Sequence, residues 1–325
     1  MISTLAIRHF KSIKDLTISC RRVNVFIGEP NVGKSNILET LAFVSYAHYG
    51  RLGGDINDFL RFEHIGNLFW DGDLDSPLQI GCDDALFALS FNNNRFEGKF
   101  SKGQNTHTYS QGGHDRLSLS GGPAEEFAAQ FKFYRFKAQA AFSRPETAFL
   151  LPPIGANLQA LLLANRDLRN IVNQPFLSRG HRLGIRPQEH KLEAVKQADD
   201  VIISFPYSTV SDTFQRVTFY LAAILSNKES VIAFEEPESH AFPYYTKHIA
   251  ELVALDGRRN QYFISTHNPY FLLPLVAKTP MKDLAVFITY YDDYQTKVKL
   301  LSGDEISEFD QVDIFSNLDR FLEKA

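Results

Sequence analysis

Eight consecutive residues, Gly28-Glu29-Pro30-Asn31-Val32-Gly33-Lys34-Ser35, fit the pattern G-x-x-x-x-G-K-[ST] without a mismatch. The chemistry this spacing serves is the capture of a phosphate chain. A loop of this length wraps around a phosphate and turns its backbone N–H groups inward. A helix opening behind it adds the partial positive charge of its N-terminus. Lys34 has the length to reach outer phosphates, and the Ser35 hydroxyl can ligate Mg²⁺. Gly33 permits close backbone approach.

Two further strand ends carry chemistry. Val231-Ile232-Ala233-Phe234 is an apolar run that ends in Glu235-Glu236-Pro237-Glu238. Phosphoryl chemistry on a phosphate loop needs a carboxylate at a nearby strand end to hold Mg²⁺, and Glu235 is placed for it. Glu236, one residue on, is placed to act as general base on an attacking water. Tyr262-Phe263-Ile264 is likewise followed by Ser265-Thr266-His267-Asn268. A histidine there can contact a terminal phosphate and register its loss.

These residues need a scaffold that brings strand ends together. Val23–Ile27 is short, apolar and followed by glycine, as a buried strand is. Ile37, Leu38, Leu41 and Val44 follow at helical spacing, so the order is strand, loop, helix. Strand-like runs separated by turns between residues 50 and 125 predict an antiparallel lobe. Residues 132–138 read as another strand. Residues 155–200 read as mainly helical, with loops around Gly180 and Gly184. From Ser211 onward, helices and strands alternate, which implies a mainly parallel sheet. The expected architecture is one α/β domain over 1–325. Its antiparallel lobe, at about 50–140, and a helical subdomain, at about 155–200, are inserted after the phosphate loop.

Composition narrows the classes. Hydrophobic residues make up 44% and charged residues 22% of 325, as in an ordinary globular chain. The net charge of −4 does not advertise a nucleic-acid binder. Cys20 and Cys82 are the two cysteines, which leaves no disulfide framework or cysteine metal pair. No apolar run reads as a signal or a membrane span, so a cytoplasmic chain without membrane association is expected.

The series of phosphate loop, insertion, helix, Glu-Glu strand and His strand resembles the ABC-type ATPases, specifically the RecF, SMC and OLD branch. Ile7-Arg8-His9-Phe10-Lys11-Ser12-Ile13-Lys14-Asp15-Leu16 is similar to that branch's opening, and Asn36-Ile37-Leu38-Glu39-Thr40-Leu41 to its first helix. Phe149–Leu161 resembles the Leu-Pro-Pro segment of OLD-like ATPases, and Glu235–His240 with Phe242-Pro243 resembles their acidic motif. The resemblance implies a P-loop fold that binds ATP and Mg²⁺, with Lys11, Ser12 and Asn36 near the nucleotide. It implies ATP hydrolysis with Glu236, His267 and Lys34 as catalytic residues and Ser35 and Glu235 at the metal. It also implies a head-to-tail homodimer or larger homo-oligomer. There, Val210–Arg216 would be the signature segment, and Ser211 and Asp212 would reach the partner copy's ATP. Thr213 stands where the family has glycine. Gln139 is the candidate for the residue that senses nucleotide after the strand at 132–138. The insertion reads as too short for a long coiled coil and the segment after the last ATPase-like helix as too short for a nuclease domain, so a separate effector or nuclease protein is expected. DNA is a further expected partner, with roles in DNA repair or anti-phage defence. The alternative is an ATP-gated scaffold that holds an effector without turnover.

Other patterns carry less. Asn227-Lys228-Glu229-Ser230 lacks the final carboxylate of a guanine-reading motif. Asp71, Asp73 and Asp75 are followed by Ser76 and Cys82 where a calcium loop needs Gly and Glu. Arg179, His181, Arg182, Arg186, His190 and Lys191 form one basic cluster, suited to phosphate backbone or to a solvated face.

Overall fold

The computed structural model describes residues 1–52, 54–112 and 122–323. An N-terminal hairpin, β1 (Thr4–Phe10) and β2 (Ile13–Ser19), leads into β3 (Val23–Ile27), the phosphate loop and α1 (Lys34–Tyr49). Short helical turns, including α2 (Ile56–Phe59), precede the meander β4 (Leu78–Cys82), β5 (Ala85–Asn92), β6 (Arg95–Lys102) and β7 (Asn105–Gly112). The rest of the N-terminal two-thirds is α3 (Pro123–Ala128), β8 (Phe131–Tyr134), α4 (Leu158–Ala164), α5 (Arg166–Leu177), β9 (Arg182–Arg186), β10 (Lys191–Ala198) and β11 (Val201–Pro206). Then α6 (Asp212–Ser226), β12 (Val231–Glu235), α7 (Pro243–Ala254), β13 (Gln261–Ser265) and α8 (Pro269–Lys278) alternate. The hairpin β14 (Leu284–Asp292) and β15 (Gln295–Leu300) and the short helices α9 (Gly303–Ser307) and α10 (Leu318–Leu322) close the chain.

The central sheet has the order β15-β14-β3-β13-β12-β8, and only β15 runs antiparallel. Its inner strands β3, β12 and β13 are short and buried on both faces, which is why they read as largely apolar runs. Alternate residues feed two cores. Val25, Ile232 and Ile264 pack with α6, α7 and α8 on one face. Phe26, Ala233 and Phe263 pack with α1 and the antiparallel sheet on the other. Parallel alignment puts the carboxyl ends of β3, β12 and β13 side by side, with Glu235 opposite Ser265 and Ser265 opposite Phe26. Ligands of open α/β sheets sit at this edge.

Two segments differ from the sequence expectation. The antiparallel lobe is not separate from the N-terminus, since β1 and β2 join β4–β7 in one sheet of order β2-β1-β4-β5-β6-β7. Before Leu78 that lobe consists of short helical turns, residues 113–121 lie outside the described residues, and β8 belongs to the central sheet. The helical subdomain is present as α4 and α5, but residues 182–206 form a three-stranded antiparallel sheet, β11-β10-β9. Lys191–Ala198 is built from good helix formers, yet Leu192 and Ala194 alternate inward and the Asp199-Asp200 turn returns the chain as β11. Cross-strand pairing overrides local propensity here.

Candidate functional site

The phosphate loop is shaped by backbone conformations that few residues tolerate. Gly28 (φ 148°), Asn31 (φ 62°) and Gly33 (φ 100°) all lie at positive φ. At Gly33 space decides as well: a Cβ would strike the hydroxyls of Thr296 and Ser12. Those hydroxyls belong to a relay that holds the loop. Asn36 Nδ2 donates to Ser12 Oγ (2.6 Å), Ser12 meets Thr296 Oγ1 (2.7 Å), and Thr296 donates to the Val32 carbonyl (2.9 Å). Because the Thr296 proton is spent on Val32, Ser12 is the donor between the two hydroxyls. Lys34 is folded back into the loop, its Nζ donating to the Gly28 (2.8 Å) and Glu29 (2.6 Å) carbonyls. Burial pulls the Lys34 ammonium below the usual lysine range, against the pull of Glu236 and Glu29. A partly desolvated cation with only carbonyl partners is poised for an anion.

Beside the loop lies a network of ionic groups. Glu39, 1% exposed on α1, accepts from Lys11, from Arg61 Nε (2.9 Å) and from Arg135 Nη2 (3.1 Å). Arg61 and Arg135 also hold Glu235, Arg135 through Nε at 3.0 Å. Burial pushes the Glu235 carboxyl up, but Arg135, Arg61 and a hydrogen bond from Ser35 outweigh it, leaving it below the ordinary carboxylate range. Glu235 is therefore ionised, with the Ser35 hydroxyl near it. An ionised carboxylate and a hydroxyl at the mouth of a phosphate loop are oxygen donors of the kind Mg²⁺ takes, with phosphate and water completing the shell. The residues fit that ion.

One residue along, Glu236 stands at φ 42° with its backbone N–H on the Ser265 carbonyl (3.1 Å). One carboxylate oxygen accepts from Ser239 Oγ (3.2 Å), and His267 Nδ1 lies 3.3 Å from the other. Below this pair, Glu238 is 2% exposed and accepts from Thr266 Oγ1 (2.6 Å) and the His267 N–H (3.3 Å). Burial pushes its carboxyl up to about 7. Glu238 thus couples the two loops that carry Glu236 and His267.

The structure therefore brings together Gly28–Ser35, Asn36, Ser12, Glu235, Glu236 and His267 at one sheet edge. Lys11 faces Glu39 and the Arg61 carbonyl (2.6 Å) rather than the loop mouth. Ser211 and Asp212 lie apart, exposed at the start of α6, with Asp212 paired to Arg216 at 2.6 Å. Thr213 donates to the His240 carbonyl (3.0 Å), which ties the start of α6 to the loop after Glu236. Gln139 donates to the Ile154 carbonyl (2.6 Å), so Arg135 rather than Gln139 reaches Glu235. Sequence reasoning missed Glu39, Arg61, Arg135, Thr296 and the coupling role of Glu238. Arg135 had a signal, since it directly follows the aromatic-rich strand Phe131–Tyr134, as Glu235 ends its own strand. Of the set-aside patterns, Asn227 is structural, bonded to Lys132 (2.6 Å) and Tyr134 (2.8 Å). In the basic cluster, Arg186 is paired with Glu193 (2.7 Å) and Glu189 (3.3 Å).

A phosphate loop on a central parallel strand, flanked by an acidic strand end and a histidine strand, defines a P-loop ATP-binding domain of the ABC type. The chain belongs to the family described as "AAA domain, putative AbiEii toxin, Type IV TA system", which matches residues 23–273. It is 30% identical over 200 residues to the aliphatic sulfonates import ATP-binding protein SsuB of Corynebacterium glutamicum, spanning 58% of this chain and 71% of that protein. Its fold is similar to an SMC head bound to the C-winged helix domain of ScpA, at 16% identity and TM-score 0.56 over 93% of this chain and 98% of that one. A Pyrococcus furiosus Smc head with an extended coiled coil, bound to the C-terminal domain of ScpA, matches at 14% identity and TM-score 0.56 over 95% and 98%. Among the described residues, no helix is long and apolar enough to cross a membrane.

Proposed function

We propose that this chain hydrolyses ATP, and that ATP closes two copies head to tail. The carrying observation is the meeting of Gly28–Ser35, Glu235, Glu236 and His267 at one sheet edge, with Glu236 already oriented by Ser239 and with His267 beside it. Lys34 and the loop amides bind the phosphates. Ser35 and Glu235 hold Mg²⁺, which neutralises phosphate charge when bound. Glu236 takes the proton of the attacking water, and the Ser239 hydrogen bond orients the carboxylate that does so. His267 donates toward the terminal phosphate. Arg61 and Arg135 keep Glu235 ionised and in place.

In the closed pair, Ser211 and Asp212 of one copy reach the other copy's ATP, and hydrolysis reopens it. Their exposure at the start of α6 supports this arrangement. The opening and closing drives a separate effector, a nuclease or toxin-like protein, or DNA, in cytoplasmic defence or repair. Membership of a family that includes putative toxins of type IV TA systems, and the likeness to ScpA-bound SMC heads, support a protein partner. Larger homo-oligomers follow if the same faces build rings or filaments.

The solution mass of the Glu236→Gln protein, measured by light scattering with and without Mg-ATP, tests the sandwich. Doubling with ATP is expected. An unchanged mass with ATP bound would favour the second reading, a scaffold that binds ATP without turnover. The Thr213–His240 bond favours that reading, because it holds the signature segment to its own chain.

A further inference from the structure

The hairpin of β14 and β15 is fastened to the phosphate loop. β14 runs parallel to β3 with Ile288 opposite Ile27, so Thr289 lies beside Gly28. A Cβ on Gly28 would strike the Thr289 carbonyl. On the return strand, the Thr296 N–H donates to the Ser12 carbonyl (2.8 Å) and its hydroxyl to Val32 (2.9 Å). Asp292 pairs with Gln295, leaving a two-residue turn of Asp293 and Tyr294. Asp292 is three residues past Thr289, so the tip rises about 10 Å beyond the start of the loop. The Lys297–Asp292 ion pair (2.5 Å) braces it.

The turn residue itself is unusual. Asp293 (φ 50°) and Tyr294 (φ 55°) are both at positive φ, as a tight hairpin turn requires, and such turns favour Asn-Gly. Among the described residues, Tyr294 is the only Tyr, Phe or Trp at positive φ. It is 79% exposed, the highest value among their large apolar side chains. A bulky ring thus sits in a conformation that penalises it, without burial to offset the penalty. Strain of that kind concentrates where a side chain meets a ligand. The adjoining β1–β2 turn offers no free ring, since Phe10 is fully buried.

We infer that Tyr294 is the stacking platform for the base of the nucleotide whose phosphates the loop holds. The inference rests on the reading of Gly28–Ser35 as a nucleotide site. Every base has a π-face, so the platform favours nucleotides over bare phosphate chains without choosing among purines.

Calorimetric titration with Mg-ADP and with pyrophosphate separates the two layers. Tyr294→Gly relieves the backbone strain, so the variant folds at least as well as the parent. It is expected to bind ADP about 10-fold more weakly and pyrophosphate as before, with Tyr294→Phe restoring ADP affinity. ADP and GDP are expected to lose affinity equally. Unchanged ADP affinity in Tyr294→Gly would overturn the inference. A parallel fall in ADP and pyrophosphate would also overturn it, because the tip would then act through the loop. So would a changed oligomeric state with ADP affinity intact, which assigns the ring to a protein contact. If the parent chain bound neither ligand, the nucleotide-site reading would fail first and the platform with it.

Discussion

The carboxyl edge of the central sheet and the three-stranded sheet at Arg182–Pro206 treat charge in opposite ways. At the edge, Glu39 is buried and shared by three cations, and Glu235 by two of the same three. On the small sheet, the Arg186 and Glu189 side chains are each 48% exposed, and Val201 and Ile202 of β11 are 59% and 72% exposed. Arg61 is half-exposed, but Glu39, Lys11 and Arg135 are largely buried, and losing one of those three strands the others where water solvates them poorly. Surface pairs are screened and exchange readily with water. The first region is built to hold reacting groups still. The second can change partners, which suits a face that meets another molecule.

Removing the hub of the edge gives the largest expected effect. Glu39→Ala should lower stability by about 3 kcal/mol, because the largely buried Lys11 and Arg135 lose their carboxylate, while the half-exposed Arg61 is compensated by water. A fall in urea midpoint at constant slope would report it. A loss below about 1 kcal/mol would put the edge on the footing of a surface pair and erase the contrast.

Glu238 sharpens the comparison through pH. Its folded carboxyl titrates near 7, above the ordinary glutamate value of 4.5. Between those values the folded chain keeps a proton that the unfolded chain has released, so stability falls as pH rises through that window. The cost is absent below the unfolded value and complete above the folded one. Glu238→Gln should therefore stabilise by on the order of 3 kcal/mol at pH 8 and be neutral at pH 4. Parallel unfolding curves for parent and variant across this range would contradict the burial argument.

The smallest effect is expected where the two regions meet. Thr213→Gly removes the hydroxyl bond to His240 and a Cβ near the start of α6, at a cost of about 1 kcal/mol. Freed from that contact, the Ser211 segment should support ATP-dependent mass doubling at lower protein concentration. Weaker association would show that the Thr213–His240 bond positions the segment instead of restraining it.

Legibility in the sequence follows the same division. The phosphate loop, Glu235, Glu236 and His267 are each announced by a contiguous apolar strand and the residue that ends it, so local pattern suffices. Glu39, Arg61 and Arg135 come from a helix, a loop and another strand end, and only tertiary packing brings them together. Lys191–Ala198 misleads because its composition suits a helix, while its burial alternates as a strand. The Asp199-Asp200 turn and the β-branched start of β11, Val201-Ile202-Ile203, were the available signals. Tyr294 is hidden for another reason: nothing local marks a tyrosine as a turn residue at positive φ.

The most direct test of the account is ATP binding and steady-state phosphate release by Glu236→Gln beside the parent chain. The account predicts turnover lowered at least about 100-fold with ATP affinity retained, because the amide keeps the shape of the carboxylate but cannot take the proton. Turnover within a few-fold of the parent, with ATP still bound, would contradict it and move the proton acceptor away from Glu236.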